Sequence, residues 1–511
     1  MKKKIIYTFL IIIVTISSFI FTSNHIIGQT SGYAQKIKYL IPGSVRNFLR
    51  DTFFAKKYLV IENNKIKSLV QNNFDNQVIK ANGALPLVDN KKIKSETELN
   101  NFFFSRYKFP YTPHFEWGNK PIGYLSQFNN FIFLISGSGE ITYFDQSELD
   151  KKNIKLKKNT SDKEITYISG YGKTVFKNKT SVNRSSIKFK TIKSNFYDFV
   201  SINEYIQPGV VGPRDMEIIN NDIYISFVDK KSCDKVSIIR AKLNFDYLDF
   251  KYFFSWKDCS KKSFIDQRSG GRIKNYDKDY LIFTVGDYSK LYYPPESQNP
   301  KSLFGKIIKI NKKTSEFKIL SIGHRNPQGL YVDSEKKLIF STDHGPDGGD
   351  EVNFQDLKIN KIENFGWPIS SYGVHYSSRL NHAKINNLME QLEKGAPLHK
   401  SHKKFNFTEP LKYYAPKSIG ISEIIKIPKS YGKQFKNDFF VTAMGNVIEE
   451  GDQTIHHISL DNENQKIISE DKIILRERIR DIIYNKKTNA FLMILETGPS
   501  IGVLKFNNAK E

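Results

Sequence analysis

"FIFLISGSGEITYFD", Phe131–Asp145, reads as two short apolar runs hinged on a Gly-Ser-Gly turn. Each run is too short for a helix and rich in Phe, Ile and Tyr, which pack well on a pleated surface. The same texture recurs outward from it in "DIYISFV" (222–228), "VSIIRAKLN" (236–244), "YLIFTVGD" (280–287), "GKIIKINKKTSEFKIL" (305–320), "KLIFSTD" (337–343), "DFFVTAM" (438–444), "HHISLD" (456–461), "FLMILETG" (491–498) and "IGVLKF" (501–506). Many short strands with turns between them imply a sandwich, a barrel or a propeller. Nearly 400 residues of such texture, from about 121 to 511, exceed one sandwich. Strand groups recurring about every 40–60 residues favour an all-β, six-bladed β-propeller. One helical pattern, "YSSRLNHAKINNLMEQLEKG" (376–395), interrupts it.

Residues 24–120 read as a membrane-proximal region and linker. Before them, Lys2, Lys3 and Lys4 precede the uncharged run Ile5–Ser23, nineteen residues that span about 28 Å as a helix, close to a bilayer core. A secretory signal shares this start. The length of the run and the lack of a small-x-small cleavage site favour an uncleaved anchor over residues 1–23. Positive charge at its start places the rest of the chain on the periplasmic side of the inner membrane. The net charge of +25 comes mostly from scattered lysines, without a basic helix or an aromatic-interleaved Arg cluster, so nucleic acid is not expected.

Cys233 and Cys259 flank two strand-like runs, "KVSIIRAKLN" and "LDFKYFFSW". A hairpin folded about Asp246 sets 233 opposite 259, and an oxidising compartment favours a disulfide between them.

"STDHGPDGGDEVN", Ser341–Asn353, holds four carboxylates, three glycines, a histidine and a proline in thirteen residues. An acidic turn accounts for the charge. A bound cation accounts for the charge and the tight backbone together, because hard cations take carboxylate and carbonyl oxygens. Around it, in order, stand "SGGRIKNYDKDYLIFTVGD" (269–287), "GHRNPQGL" (323–330), "NFGWP" (364–368) and "RERIRD" (476–481).

This ordered set resembles the glucose/sorbosone dehydrogenase family over roughly residues 200–506. The resemblance implies a six-bladed propeller that oxidises sugars with pyrroloquinoline quinone (PQQ) and passes electrons to a respiratory acceptor. It implies that Gly345 and Pro346 hold Ca²⁺ through their carbonyls; Asp350 and Glu351 are candidates to support the loop or a second Ca²⁺, with a turn cap as the alternative for Asp350. It implies that Asn326, Arg478 and Arg480 contact PQQ. Arginine presents a planar fork to carboxylates, and 478 and 480 alternate onto one strand face.

The sequence also departs from the family. The position of the family's catalytic histidine holds Arg268, which cannot act as a base, and no histidine lies between Val211 and Ile322. Val210 stands where the family has a glutamine, and no lysine falls in Thr442–Val447. His324 and His344 are the candidate substitutes. The reading is therefore a membrane-anchored PQQ-dependent sugar dehydrogenase; the alternative is a non-redox propeller that binds a carbohydrate or protein and has lost its base.

Overall fold

The computed structural model describes residues 84–109, 123–137, 139–149, 162–169, 172–179, 186–200, 212–229, 235–257, 268–288, 296–346, 348–373, 401–445, 451–464, 466–497 and 500–507. Six sheets, antiparallel apart from a two-residue parallel pair at the outer edge of two of them, form the blades of a β-propeller. Their inner strands are Gly123–Phe128, Pro213–Ile219, Gly270–Asn275, Pro327–Asp333, Ile421–Lys426 and Ile479–Asn485, which define blades 1 to 6. Each inner strand packs beside the next, and the sixth returns to the first, so the ring is closed.

Side-chain burial explains the sequence texture. The second strands, such as Leu338–Asp343, Asp438–Ala443 and Ala490–Leu495, are buried at every position. They lie between two neighbouring blades, so both faces are covered and the sequence reads as a continuous apolar run rather than an alternating one. Outer strands such as Ile467–Ile474 mix exposed and buried positions. The core is correspondingly divided into six apolar clusters, one in each wedge between blades. The smallest, Ile282, Ile307, Leu320, Leu330 and Ile339, lies between blades 3 and 4.

Blade 6 closes the ring with strands from both ends of the described chain. Ser500–Phe506 pairs with Asn101–Lys108, in the register Phe102↔Phe506 to Lys108↔Ser500, and Ala84–Lys94 pairs outside that. The part of 24–120 covering residues 84–108 is thus propeller, not linker. Phe102 and Phe104 are fully buried against Phe440 and Phe491. An N-terminal strand completing the last blade protects the edge that Ser500–Phe506 would otherwise expose.

In blade 2, Lys235–Lys242 pairs with Lys251–Ser255 through Ser237↔Ser255 and Ile238↔Phe254, the register that the hairpin about Asp246 requires. Cys233 and Cys259 lie outside the described residues, as do the helical pattern at 376–395 and the Ile5–Ser23 run. Among the described residues no helix is long and apolar enough to cross a membrane.

Candidate active site at the arginine-lined mouth

Five of the six inner strands are bulged where they begin, at Pro213/Asp215, Gly270/Ile273, Pro327/Gly329, Ile421/Ile424 and Ile479/Asp481. A bulge re-aims side chains at a strand end, and all five lie at the same mouth of the channel. The loops after the second strands open onto that mouth too, because Asp343 pairs with Pro327. Gly271 makes one close approach possible: its φ is +104°, and a Cβ there would lie 2.3 Å from the Arg214 Cβ.

The loop of the 341–353 motif sits here. Its glycines are required by contact as well as by backbone angle. A Cβ on Gly345 would lie 2.0 Å from the Gly349 carbonyl oxygen, and one on Gly349, at φ +83°, would lie 2.1 Å from the Gly373 nitrogen. Asp350 is fully buried and braces the loop from inside. Its Oδ1 accepts from the Gly345 amide (2.9 Å) and lies 2.8 Å from His344 Nδ1, while its Oδ2 accepts from the Ile421 amide (2.9 Å). Burial alone would raise its pKa; the His344 ring and the two amides outweigh that and hold it below the usual carboxylate range. His344 itself keeps 27% of its side chain exposed.

His324 has a different environment. It is fully buried, with Nε2 2.8 Å from Ser321 Oγ, Nδ1 3.2 Å from Asp343 Oδ2 and Phe365 tilted over its ring at 4.8 Å. Both nitrogens serve the packing, so the structure withdraws His324 from the candidate bases and leaves His344.

Four guanidinium groups converge at the mouth. Arg268 lies 3.6 Å from Asp287, whose Oδ2 also accepts from Trp367 Nε1 at 2.7 Å. Arg325 lies 5.3 Å from the Trp367 ring and donates through Nη1 to the carbonyls of His344 and Gly345, both at 2.5 Å. Arg478 and Arg480 do share a face, because both reach Glu496. Arg480 is buried and forks onto it at 2.7 and 3.2 Å, whereas Arg478 stands 3.6 Å away, is 27% exposed and donates to the Met444 carbonyl. Asn326 accepts from the Gly270 amide through Oδ1 (3.1 Å), which turns its Nδ2 donors elsewhere.

The sequence reading passed over Arg325, Asp287, Glu496 and Trp367 as partners. Arg325 lies inside the quoted "GHRNPQGL", but nothing local distinguishes it from a solvated arginine.

The cofactor chemistry can be tested against these groups. An anionic, planar tricarboxylate fits: Arg268, Arg325 and Arg478 stand at the mouth, Arg268 beside Asp287 and Arg478 beside Glu496, with Arg480 buried behind on Glu496, and Ser269 is buried nearby with a hydroxyl that lacks a hydrogen-bond partner. Calcium held by the protein alone does not fit. The Gly345 carbonyl faces Arg325, and the Pro346 carbonyl accepts from Ser418 Oγ at 2.7 Å. Glu351, expected to support the ion, instead lies 3.0 Å from His402 Nε2 and accepts from Asn353 Nδ2 at 3.3 Å. Two engaged carbonyls fall short of the 6–8 oxygens that Ca²⁺ takes, and no metal-holding cluster of three such side chains occurs among the described residues.

Comparison with known proteins bears on the family and the fold. An aldose sugar dehydrogenase, YliI, from Escherichia coli strain K12 is 31% identical over 121 residues, 21% of this chain and 31% of the relative. An uncharacterized protein, slr1608, from Synechocystis is 28% identical over 241 residues, 42% of this chain and 50% of the relative. The chain thus spans half or less of the length of these curated relatives. Among solved structures, the soluble aldose sugar dehydrogenase of Escherichia coli in its apo form overlays with a TM-score of 0.50 at 18% identity, covering 76% of this chain and 96% of that one, which speaks for the fold alone. The family described as Glucose / Sorbosone dehydrogenase matches residues 217–501. With that match over more than half its length, the chain belongs to the glucose/sorbosone dehydrogenase family.

Proposed function

We propose that this propeller oxidises an aldose or related hydroxylated substrate with PQQ held at the arginine-lined mouth. In this reading the chain is anchored in the inner membrane by Ile5–Ser23, with the propeller in the periplasm and a respiratory acceptor as the electron sink. The observation that carries it is the His344–Asp350 pair standing on the rim beside Arg268, Arg325 and Arg478.

When bound, PQQ supplies the two-electron acceptor. The chain's own residues do the rest. Arg478, Arg325 and Arg268 hold its carboxylates, and Arg480 orients Glu496 behind them. Asp350 holds Nδ1 of His344, so Nε2 is the nitrogen that takes the proton of the substrate hydroxyl. The buried carboxylate then stabilises the imidazolium that forms. The base has in effect moved from position 268 to position 344. No step is assigned to Ca²⁺.

A second reading, a non-redox propeller that binds a carbohydrate or protein, draws on one observation: Arg268 is paired to Asp287 where the family has its histidine.

Titration of the purified full chain with PQQ, with and without Ca²⁺, followed by a sugar panel with an artificial acceptor, separates the two. The first reading expects cofactor binding and measurable oxidation. His344→Asn should lower oxidation by ~10²–10⁴-fold, the usual contribution of a positioned base, while PQQ still binds. Absence of PQQ binding under both conditions selects the second reading. The anchor is checked in the same preparation. The protein should sediment with inner membranes, with the propeller open to protease from the periplasmic side.

A further inference from the structure

The opposite mouth of the channel is a second cavity. The last residues of all six inner strands line it, from Gln127, Glu217, Lys274, Val332, Lys426 and Tyr484, around a volume of about 420 Å³. Three charged groups face this space without hydrogen bonds. Lys274 Nζ is 3.7 Å from Glu217 Oε2, with each side chain 23% exposed, and Lys426 Nζ is 3.8 Å from Asp333 Oδ2. These are loose ion pairs, outside hydrogen-bond reach. Among the described residues neither ammonium donates a hydrogen bond, and the Glu217 carboxylate accepts none. Each of the three side chains is partly exposed to the cavity, so water satisfies it, and a ligand with matching groups can take the place of that water.

The approach to the cavity is basic. An adjoining pocket of about 560 Å³ shares Lys426 and adds Lys336, Lys429, Lys433 and Lys436. Burial, then Lys336 and Lys429, lower the pKa of Lys426, although Asp333 opposes them. Such a field draws small anions inward. Glu217 needs the opposite kind of partner, a donor. Tyr331 and Tyr484 add flat walls of a kind that suits a carbon chain.

We propose that this mouth binds a small hydroxylated carboxylate, with its carboxylate on Lys274 and Lys426 and a hydroxyl donating to Glu217. A ligand carrying both groups completes all three charged side chains at once. A plain anion leaves Glu217 without a donor and repelled, and a neutral sugar leaves the lysines without an anion. The site uses no residue of the arginine-lined mouth, and it stands whether or not that mouth carries out redox chemistry.

Isothermal titration of the full chain at pH 8, where Glu217 is ionised, without added PQQ, tests it. D-gluconate is the probe, against D-glucose, acetate and inorganic phosphate. Gluconate should bind saturably, with the other three at least tenfold weaker. Lys274→Met should weaken gluconate at least tenfold. Lys426→Met, at the rim, should weaken it less, with Tm unchanged, which guards against misfolding of the deeper variant. Arg478→Ala, at the other mouth, should leave gluconate binding as it was. Equal binding of acetate, phosphate or glucose overturns the proposal. So do a lack of gluconate binding and gluconate binding that neither lysine variant weakens.

Discussion

At the scale of the residue, identical side chains are separated by what surrounds them. His324 and His344 both stand near the candidate base position, but one is sealed between Ser321, Asp343 and Phe365 while the other keeps an open edge. Glu217 shows the same dependence on environment. Burial first of all, with Asp215, Asp481 and Glu423 nearby and only Lys274 opposing, raises its pKa from 4.5 to about 7. The folded state therefore keeps a proton that the unfolded chain releases. Glu217's contribution to stability is fully present below about pH 4.5 and is lost as pH rises through about 7. At about 1.4 kcal/mol per pKa unit, the loss is at most ~3.5 kcal/mol. Glu217→Gln has no proton to lose. Melting temperatures measured from pH 5 to 7.5 should show the wild type falling relative to this variant. Parallel curves would show that the carboxyl titrates alike in both states.

At the scale of the element, the strands follow from short-range chemistry. Apolar runs of four to eight residues bounded by Gly, Asn and Asp became strands because neighbouring blades cover both faces of each second strand. The blade 2 hairpin, after a bulge between Ile238 and Ile239, takes the register Ser237↔Ser255 and Ile238↔Phe254 that is symmetric about Asp246. Cys233 and Cys259 lie outside the described residues, and the symmetry of that register leads to the expectation that in an oxidising compartment the two are joined. In the loop-entropy account such a bridge contributes ~3–4 kcal/mol. Non-reducing peptide mapping should recover the linked pair, and reductant should lower Tm without abolishing the fold, because the bridge lies within one blade. Alkylation of both thiols without reductant would remove it.

At the scale of the whole molecule, one side chain ties the ring together at its axis. Arg272, on the inner strand of blade 3, is 2.8 Å from Asp481 of blade 6, 3.1 Å from Glu423 of blade 5 and 3.4 Å from Asp215 of blade 2. It also donates to the Gln328 carbonyl of blade 4 (2.5 Å) and lies 4.8 Å from the Tyr124 ring of blade 1. Burial alone would lower its pKa; Glu423, Asp481 and Asp215 overcome that and raise it. The same carboxylates then accept from the backbone of the adjacent blade, Asp215 from Ile273, Glu423 from Leu330 and Asp481 from Leu125. Arg272→Met leaves three buried carboxylates without their shared cation. Removing one partner of a buried ionic cluster costs about 3–5 kcal/mol, and urea unfolding of the variant should show a loss of that order. A midpoint unchanged from wild type would mean that the carboxylates are held by the amides alone.

The sequence by itself determined what short-range forces decide. It contained the strand blocks, the propeller class, the hairpin register and the ordered motifs that mark the family, because each depends on neighbours a few residues away. It also contained Arg268, legible as a letter, at the position where the resemblance implies a histidine. It did not contain the closure of the ring, in which residues 84–108 pair beside the last strand across almost the entire chain. Nor did it contain the partners within the acidic loop, where Asp350 turns to His344 and Glu351 to His402. The reason is the same in both cases. Pairing across hundreds of residues and the burial of a charge are properties of the closed ring: Asp350 has His344 close by in sequence, but it is buried, and meets the Ile421 amide, because blade 5 packs against its loop.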